Sequence, residues 1–162
     1  MKKVYVYFHT HWDREWYKTR VEFNFRLVKV VDDILDKLSS NELPCFYFDG
    51  QTSALIDYLK FRPEKETQIR QFIKDKKLFI GPFFDLADEF LVGGESLLRN
   101  LQIGRNEALL FNADENDFIG YLPDAFGHTK IMPMLFNKAN IKIKSIIVVI
   151  QFNVALSTFP NI

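Results

Sequence analysis

Short apolar segments alternate along the chain with segments in which hydrophobic residues recur at helical spacing. Residues 4–8, 45–48 and 78–84 are rich in Val, Phe, Tyr or Ile, which predicts strands buried on both faces. Residues 26–38 and 95–111 place Leu, Ile or Val every three or four positions, which predicts amphipathic helices. This order predicts a parallel sheet whose strands are joined by helices.

Turn-forming residues set the limits of these elements. Residues 39–41 (Ser-Ser-Asn) end the first helix, and residues 49–50 (Asp-Gly) end the second strand. Pro63 separates two helical segments, 52–60 and 64–76, because proline fits the start of a helix and breaks its interior. Each of the three strands is therefore followed by helix.

A fourth strand is predicted to begin near Asp117 and to end at residues 123–124, before a short helix over 131–139. The four strands begin near residues 3, 45, 78 and 117, which is the spacing of successive βα units. The predicted fold class is α/β, with a parallel sheet that forms either a barrel or a doubly wound sheet. In both folds the functional site lies at the carboxyl ends of the strands.

Two histidines and an aspartate follow the first predicted strand at alternating positions. In an extended chain His9, His11 and Asp13 would face the same side. Imidazole nitrogen and carboxylate oxygen together suit a divalent cation such as zinc. The alternative is that the histidines only form hydrogen bonds at a polar strand end.

The loop after the fourth predicted strand also carries candidate chemistry. Residues 120–128 read GYLPDAFGH, so that Asp124 leaves an apolar strand and is followed by a glycine-containing loop. Asp124 could be a metal ligand, a nucleophile or the N-cap of the next helix. We interpret His128 as a loop residue that forms hydrogen bonds rather than as a ligand.

Further acidic and aromatic residues are predicted at the same edge of the sheet. Glycoside hydrolysis uses two carboxyl groups around one bond, so a ring of acids is consistent with that reaction. Trp16 and Phe126 flank the candidate site, and aromatic faces suit the apolar faces of sugar rings. Asp85 and Glu89, taken singly, also fit solvated loop charges. The candidate carboxylates on this rim are Asp49, Asp85, Asp88 and Glu89.

Composition narrows the possible partners and compartment. The 162 residues include 21 basic and 21 acidic ones, and nucleic-acid binding is disfavoured because it needs concentrated positive charge. Cys45 is the single cysteine, which fits a reducing compartment, and we expect its thiol to be buried. No apolar stretch approaches the ~20 residues of a membrane span, and no signal-peptide pattern is present. We therefore expect a cytoplasmic protein without a membrane partner.

Five segments carry a resemblance to a known family. They are residues 9–17 (HTHWDREWY), 48–52 (FDGQT), 80–84 (IGPFF), 95–101 (ESLLRNL) and 120–128 (GYLPDAFGH). In this order they resemble glycoside hydrolase family 38, the α-mannosidases. The resemblance is greatest to the bacterial branch that includes mannosylglycerate hydrolases.

The resemblance implies a catalytic (β/α)7 barrel with one zinc ion at its mouth. Matched position by position, His11 and Asp13 would be zinc ligands. Asp124 would be both a zinc ligand and the catalytic nucleophile. Trp16 and Phe126 would bind the mannose ring.

The resemblance also implies a reaction. Asp88 lies where relatives often carry an acidic residue, which implies a contact with substrate, and His9 would support the ligands. The reaction would be retaining hydrolysis of terminal α-mannosides, including mannosylglycerate or its phosphorylated form. Asp124 would attack the anomeric carbon, and water would hydrolyse the glycosyl-enzyme. Zinc would position the sugar through its hydroxyls.

The resemblance predicts a division of the chain. Residues 1–140 match the N-terminal part of the catalytic barrel, and residues 141–162 form a divergent apolar tail. The general acid and the fourth zinc ligand, a histidine, lie downstream of the matching region in the family. We therefore expect a truncated or frameshifted product that is inactive alone, or one whose barrel a second polypeptide completes. Four βα units cannot close a barrel of about 250 residues.

Two other interpretations stay open at this point. Metal-dependent amidohydrolases also place His-x-His on the first strand of a barrel, but they need histidines on later strands, and only His128 is available. A non-enzymatic remnant would bind metal weakly or misfold, because an unclosed sheet has open edges.

Overall fold

The centre of the computed structural model, which describes residues 7–141, is a three-stranded parallel sheet. Its strands are β1 (Phe8–His9), β2 (Phe46–Tyr47) and β3 (Leu78–Phe79), in the order β1-β2-β3. Phe46 pairs with Phe8 on one side and with Leu78 on the other. The predicted α/β fold with a parallel sheet is therefore confirmed.

Five α-helices lie around the sheet in the described part of the chain. They are α1 (Arg20–Ser39), α2 (Ser53–Leu59), α3 (Glu66–Lys74), α4 (Gly94–Leu110) and α5 (Met132–Lys138). Two short 3₁₀ turns lie between helices, at Pro63–Lys65 and Glu115–Asp117. All the helices predicted from hydrophobic spacing are present, and Pro63 begins the turn that separates α2 from α3. Between residues 7 and 141, no helix has the length and apolar character needed to cross a bilayer.

The start of α1 differs from the prediction. The helix begins at Arg20 rather than at Arg26, because Thr19 caps it. The Thr19 hydroxyl accepts a hydrogen bond from the backbone N–H of Glu22, and the Glu22 carboxylate accepts one from the Thr19 N–H. This capping box stabilises a first turn that the prediction left out, and Phe23, which is buried four positions before Leu27, extends the apolar face of the helix into that turn.

Residues with positive φ end the elements where the sequence predicts turns. Asn41 (φ 59°) follows α1, while Asp49 (φ 45°) and Gly50 (φ 82°) follow β2. Asparagine, aspartate and glycine are the residues that tolerate this conformation best. The predicted ends of the first helix and the second strand are therefore confirmed.

Two hydrophobic clusters form the core. The larger one packs α1, α2 and α3 against one face of the sheet, and burying each large apolar side chain contributes about 1.5–3 kcal/mol. The smaller one joins α4 and α5 to the loop after β3. Large fully buried residues of the first cluster include Leu27, Leu35, Leu38, Phe48, Leu55, Tyr58, Ile69 and Leu78. Phe46 and Leu78 place β2 and β3 in this core, while Phe8 of β1 is 47% exposed. Cys45, just before β2, is half-buried rather than buried as predicted.

The predicted fourth strand is absent from the sheet formed by the described residues. Residues 115–117 form a 3₁₀ turn instead, and a single residue of the predicted segment, Ile119, forms a β-bridge. Phe118 and Tyr121 are nevertheless buried, which is why the hydrophobic pattern resembled a strand. A strand requires a ladder of backbone hydrogen bonds, and the apolar pattern does not report on that ladder.

Two predictions fall on residues outside the described part of the chain. They concern residues 4–6 of the first predicted strand and residues 142–162 of the predicted tail. The boundary between residues 140 and 141 therefore stays a prediction.

Gly104 lies where α4 touches the loop after β3. A Cβ atom there would lie 2.0 Å from the carbonyl carbon of Phe83 and 2.1 Å from the backbone nitrogen of Phe84. Because both are backbone atoms, α4 would have to move. We expect Gly104→Ala to lower the free energy of unfolding by about 2–3 kcal/mol, measured by urea unfolding followed by circular dichroism.

The matched control is Gly94→Ala at the start of the same helix. A Cβ atom at Gly94 would meet nothing within 4 Å, so alanine there should leave the free energy of unfolding unchanged or slightly raised. Equal stabilities for the two variants would contradict the close approach of α4 to the loop.

Candidate active site

Three side chains that could bind a metal ion lie together beyond the carboxyl end of β1. His11 and Asp13 directly follow β1, and Asp124 lies in the loop that leads to α5. One ligand atom from each lies within 4.8 Å of the others. His11 Nε2 is 3.3 Å from Asp13 Oδ1 and 3.8 Å from Asp124 Oδ2. The structure therefore brings together the three residues that the resemblance implied as zinc ligands.

The donor set of this group fits a zinc ion. Zinc binds imidazole nitrogen and carboxylate oxygen at about 2.0–2.2 Å, so two ligands of a tetrahedral site are roughly 3.3–3.6 Å apart. The separations from His11 Nε2, 3.3 and 3.8 Å, are close to that spacing. The two neighbouring carboxylates repel each other unless a cation lies between them. The side chains of Asp13 and Asp124 are 41% and 61% exposed, so the site is open to solvent.

Asp124 does not cap a helix. The next helix, α5, begins at Met132, and its N-cap position is held by Ile131 without a side-chain hydrogen bond. The capping alternative for Asp124 is therefore wrong, which leaves its carboxylate available for metal binding or chemistry.

His11, Asp13 and Asp124 are called the ligand group below. A cleft of about 300 Å³ adjoins this group. It contains the two candidate ligands that follow β1, together with positive and negative side chains. Its lining residues are His11, Trp12, Asp13, Arg14, Glu15, Arg20, Asp85 and Leu86. Burial raises the pKa of Asp85, although a hydrogen bond from Gln51 opposes the shift. The cleft is therefore polar and has charges of both signs.

The two arginines of the cleft pair with a buried carboxylate, that of Asp57, which lies beneath the cleft. Asp57 in α2 is 1% exposed and accepts hydrogen bonds from Arg14 Nε at 2.8 Å and from Arg20 Nη2 at 2.9 Å. Lys60 Nζ adds a third contact at 2.8 Å. Burial alone would raise the pKa of Asp57, but the hydrogen bonds from Arg14 and Lys60 prevail and lower it to about 2. The sequence interpretation missed this residue, whose only signal was an acid within an apolar helical segment.

The residues predicted to contact substrate lie in exposed loops. Trp16 is 75% exposed and Phe126 is 84% exposed, so both rings are accessible from solvent. Asp88 Oδ1 accepts a hydrogen bond from the backbone N–H of Phe90 at 3.2 Å, and it is not part of the ligand group. The substrate contacts of these three residues stay predictions.

Glu89 is a structural residue and not a solvated loop charge. Its side chain is fully buried, with Oε1 2.7 Å from His128 Nδ1. Glu89 Oε2 accepts hydrogen bonds from the backbone N–H and the hydroxyl of Thr129, at 2.6 and 3.0 Å. Glu89 thus holds the loop that carries Asp124, and the interpretation of His128 as a hydrogen-bonding loop residue is confirmed.

Asp49 supports His9 beneath the site and is not a rim carboxylate. Its side chain is fully buried, and Oδ1 lies 2.8 Å from His9 Nδ1. This hydrogen bond raises the pKa of His9, with desolvation acting in the opposite direction. His9 is not part of the group of His11, Asp13 and Asp124, so of the three residues expected to converge after β1 the structure brings together only His11 and Asp13.

Comparisons with known proteins agree with the fold and with the quoted motifs. The family model described as Glycosyl hydrolases family 38 N-terminal domain matches residues 1–154. A provisionally named mannosylglycerate hydrolase of Halalkalibacterium halodurans is 39% identical over 142 residues, which are 87% of this chain and 16% of the relative.

Two solved structures from Enterococcus faecalis are also similar. An α-mannosidase of strain V583 is 41% identical with a TM-score of 0.78, over 83% of this chain and 15% of that one. A second protein of glycosyl hydrolase family 38 is 38% identical with a TM-score of 0.74, over 85% of this chain and 16% of that one. The chain thus spans about one sixth of the length of its relatives, 15–16%.

These matches decide between the families considered above. An amidohydrolase site would need a further histidine near His11, but His128 is bound to Glu89 and lies outside the ligand group. The family model, in contrast, matches residues 1–154, and solved members share the observed fold. The chain therefore belongs to glycosyl hydrolase family 38, whose N-terminal domain it matches.

Proposed function

We propose that this chain supplies the nucleophile and three zinc ligands of a retaining α-mannosidase. The observation that carries the proposal is the approach of His11, Asp13 and Asp124 to within 4.8 Å in a chain of family 38. The substrate class is supported by the similar Enterococcus faecalis structure, which is that of an α-mannosidase. We also propose that β1, β2 and β3 are consecutive strands of a catalytic barrel.

The chemistry follows from the position of Asp124. Its carboxylate would attack the anomeric carbon from the β face while the glycosidic oxygen takes a proton from a general acid. Water would then hydrolyse the glycosyl-enzyme ester, so that two inversions give net retention. A bound zinc ion would add binding and orientation of the sugar hydroxyls. Asp124 Oδ2 faces His11, which leaves Oδ1 for the attack.

The two exposed aromatic residues complete the proposed sugar site. Trp16 follows the proposed ligand Asp13 by three positions, and Phe126 follows Asp124 by two, so we expect both near the candidate metal. A sugar ring presents C–H groups on its faces and hydroxyls at its edge. Aromatic faces would bind the former, while Asp88 and the metal would bind hydroxyls.

We propose an anionic α-mannoside, mannosylglycerate or a phosphorylated form, as the natural substrate. The name of the Halalkalibacterium halodurans relative supports this class. The cleft beside the ligands also contains Arg14 and Arg20, and the side chain of Arg20 is 45% exposed. Guanidinium groups pair well with carboxylate or phosphate oxygens.

A pair of assays tests the proposed activity. The 162-residue chain with added zinc should not hydrolyse an aryl α-mannoside, since the resemblance implies that the general acid lies downstream of residues 1–140. A chimera that carries residues 1–140 in place of the matching segment of the Enterococcus faecalis α-mannosidase should hydrolyse it. Turnover by the chain alone would contradict the proposed inactivity. A folded, zinc-loaded chimera without activity would contradict the proposed function.

Loss of a ligand should weaken metal binding. We expect His11→Ala to raise the dissociation constant for zinc about 100-fold or more, because the group loses its only nitrogen donor. Competition with a chromophoric chelator measures the constant on purified chain. The control is His128→Gln, which keeps a donor for Glu89 and should leave zinc affinity unchanged. Equal zinc affinity in His11→Ala and unsubstituted protein would refute the ligand assignment.

A further inference from the structure

A buried glutamine lies directly beneath the segment that carries two of the proposed zinc ligands. Gln51 is 0% exposed and lies in the turn between β2 and α2. Its backbone is fixed, because its N–H donates to the Phe48 carbonyl at 2.7 Å and it forms a parallel bridge with Phe83. The Gln51 side chain therefore projects from a rigid support.

The Gln51 amide binds both backbone groups of Trp12. The Trp12 N–H donates to Gln51 Oε1 at 2.7 Å, and Gln51 Nε2 donates to the Trp12 carbonyl at 2.8 Å. Gln51 Nε2 also donates to Asp85 Oδ1 at 2.6 Å. The amide orientation is therefore determined, since Nε2 faces two acceptors and Oε1 faces a donor.

This amide continues the sheet where the β-ladder ends. Thr10 still donates its N–H to the Tyr47 carbonyl at 3.2 Å, but two residues later the partner of Trp12 is the Gln51 side chain. Trp12 lies between His11 and Asp13, and successive side chains of an extended segment point to opposite sides. Because the side chains of an extended segment take their direction from its backbone, fixing the N–H and carbonyl of Trp12 restricts the direction of the flanking His11 and Asp13 side chains.

We infer that Gln51 is a positioning residue that sets the spacing of His11 and Asp13 for the metal. The inference rests on the proposed zinc site, but it concerns a residue outside the ligand group. Glutamine is the side chain that suits this position. A glutamate would place a carboxylate oxygen near the Trp12 carbonyl and the Asp85 carboxylate, where the two acceptors would repel it.

Metal affinity in the Gln51→Met variant tests the inference. Methionine has a similar length and no amide. The segment of residues 11–13, called the ligand segment below, therefore loses both hydrogen bonds that the Gln51 side chain forms with the Trp12 backbone. We expect the dissociation constant for zinc, measured by chelator competition, to rise about tenfold. This is the lower end of the losses in metal affinity that follow mutation of residues that hold metal ligands in place.

The matched control is Thr52→Val at the neighbouring position. Thr52 is also 0% exposed, and its hydroxyl donates to the Phe83 carbonyl at 3.1 Å without touching the ligand segment. Loss of this hydrogen bond should lower the free energy of unfolding but change the dissociation constant for zinc less than twofold. Equal zinc affinities in Gln51→Met and unsubstituted protein, or an equal loss in Thr52→Val, would overturn the positioning role.

Hydrogen exchange in the unsubstituted, metal-free chain gives a second test that needs no substitution. We expect the Trp12 amide to exchange as slowly as amides in the core of α1, because it is bonded to a buried side chain. Rapid exchange at Trp12 would overturn the inference even if Gln51→Met does not fold. Absence of zinc binding by the unsubstituted chain together with slow exchange would refute the zinc site and leave the Gln51 contact supported.

Discussion

Asp124→Asn is expected to lower α-mannoside turnover by about 10⁴-fold or more in a full-length chimera that carries residues 1–140. Asparagine keeps the shape of the side chain and an oxygen that can face His11, but its amide cannot form the glycosyl ester. The effect should appear in kcat and in kcat/KM, because the lost interaction is a bond made during the reaction. Steady-state hydrolysis of an aryl α-mannoside measures both.

Two further variants separate the nucleophile from a role in zinc binding alone. Asp124→Gly leaves space for azide, which should attack from the β face and give a β-mannosyl azide product. Asp117→Asn changes a half-buried carboxylate that pairs with Lys76 outside the ligand group, and its turnover should match that of the unsubstituted chimera. Full turnover in Asp124→Asn with zinc bound would refute the nucleophile assignment.

The site residues that could be predicted from the sequence are those that a short sequence pattern indicates. His11 and Asp13 alternate along one extended segment, so their convergence follows from strand geometry. Asp124 is distant in sequence, and only the resemblance of residues 120–128 to a family motif linked it to them. The parallel sheet and the helices were likewise predictable, because buried apolar periodicity reports on which faces are covered.

The residues that the sequence did not reveal are buried polar ones paired across long separations. Gln51 meets Trp12 and Asp57 meets Arg14, about 40 positions apart in each case. Glu89 likewise meets His128, which no local pattern indicates. These pairs form where a loop folds back over the sheet, and the spacing of hydrophobic residues along the sequence does not predict where a loop folds back. Within the described residues the predicted fourth strand is reduced to a β-bridge at Ile119, because residues 115–117 form a 3₁₀ turn.

Asp57 joins the cleft to the core of the protein. Its carboxylate is 1% exposed, while the side chains of Arg14 and Arg20 that it binds are 22% and 45% exposed. Arg14 also lies 3.9 Å from Asp85 and over the ring of Phe84. Loss of the Asp57 charge would leave these cations without their common partner, and the loop between β1 and α1 would lose the ion pair that Arg14 forms with α2.

Asp57→Asn is therefore expected to lower the free energy of unfolding by about 3 kcal/mol at pH 7. Breaking a buried ion pair costs about 3–5 kcal/mol, and the lower value applies because the partly exposed cations can turn to solvent. The measurement is urea unfolding followed by circular dichroism. The control is Asp33→Asn, which removes an exposed carboxylate paired with Lys37 and should change stability by less than about 0.5 kcal/mol.

The difference between Asp57→Asn and unsubstituted protein should shrink in acid. Hydrogen bonds from Arg14 and Lys60 overcome the effect of burial and hold the pKa of Asp57 at about 2 in the folded chain, below the ordinary 3.8. A lowered folded pKa stabilises the protein above pH 4, and this contribution of roughly 2 kcal/mol is lost as the pH falls from 4 to 2. Unfolding curves between pH 7 and 2.5 should therefore converge. A stability difference that stays constant over this range would show that the Asp57 charge does not hold the two arginines.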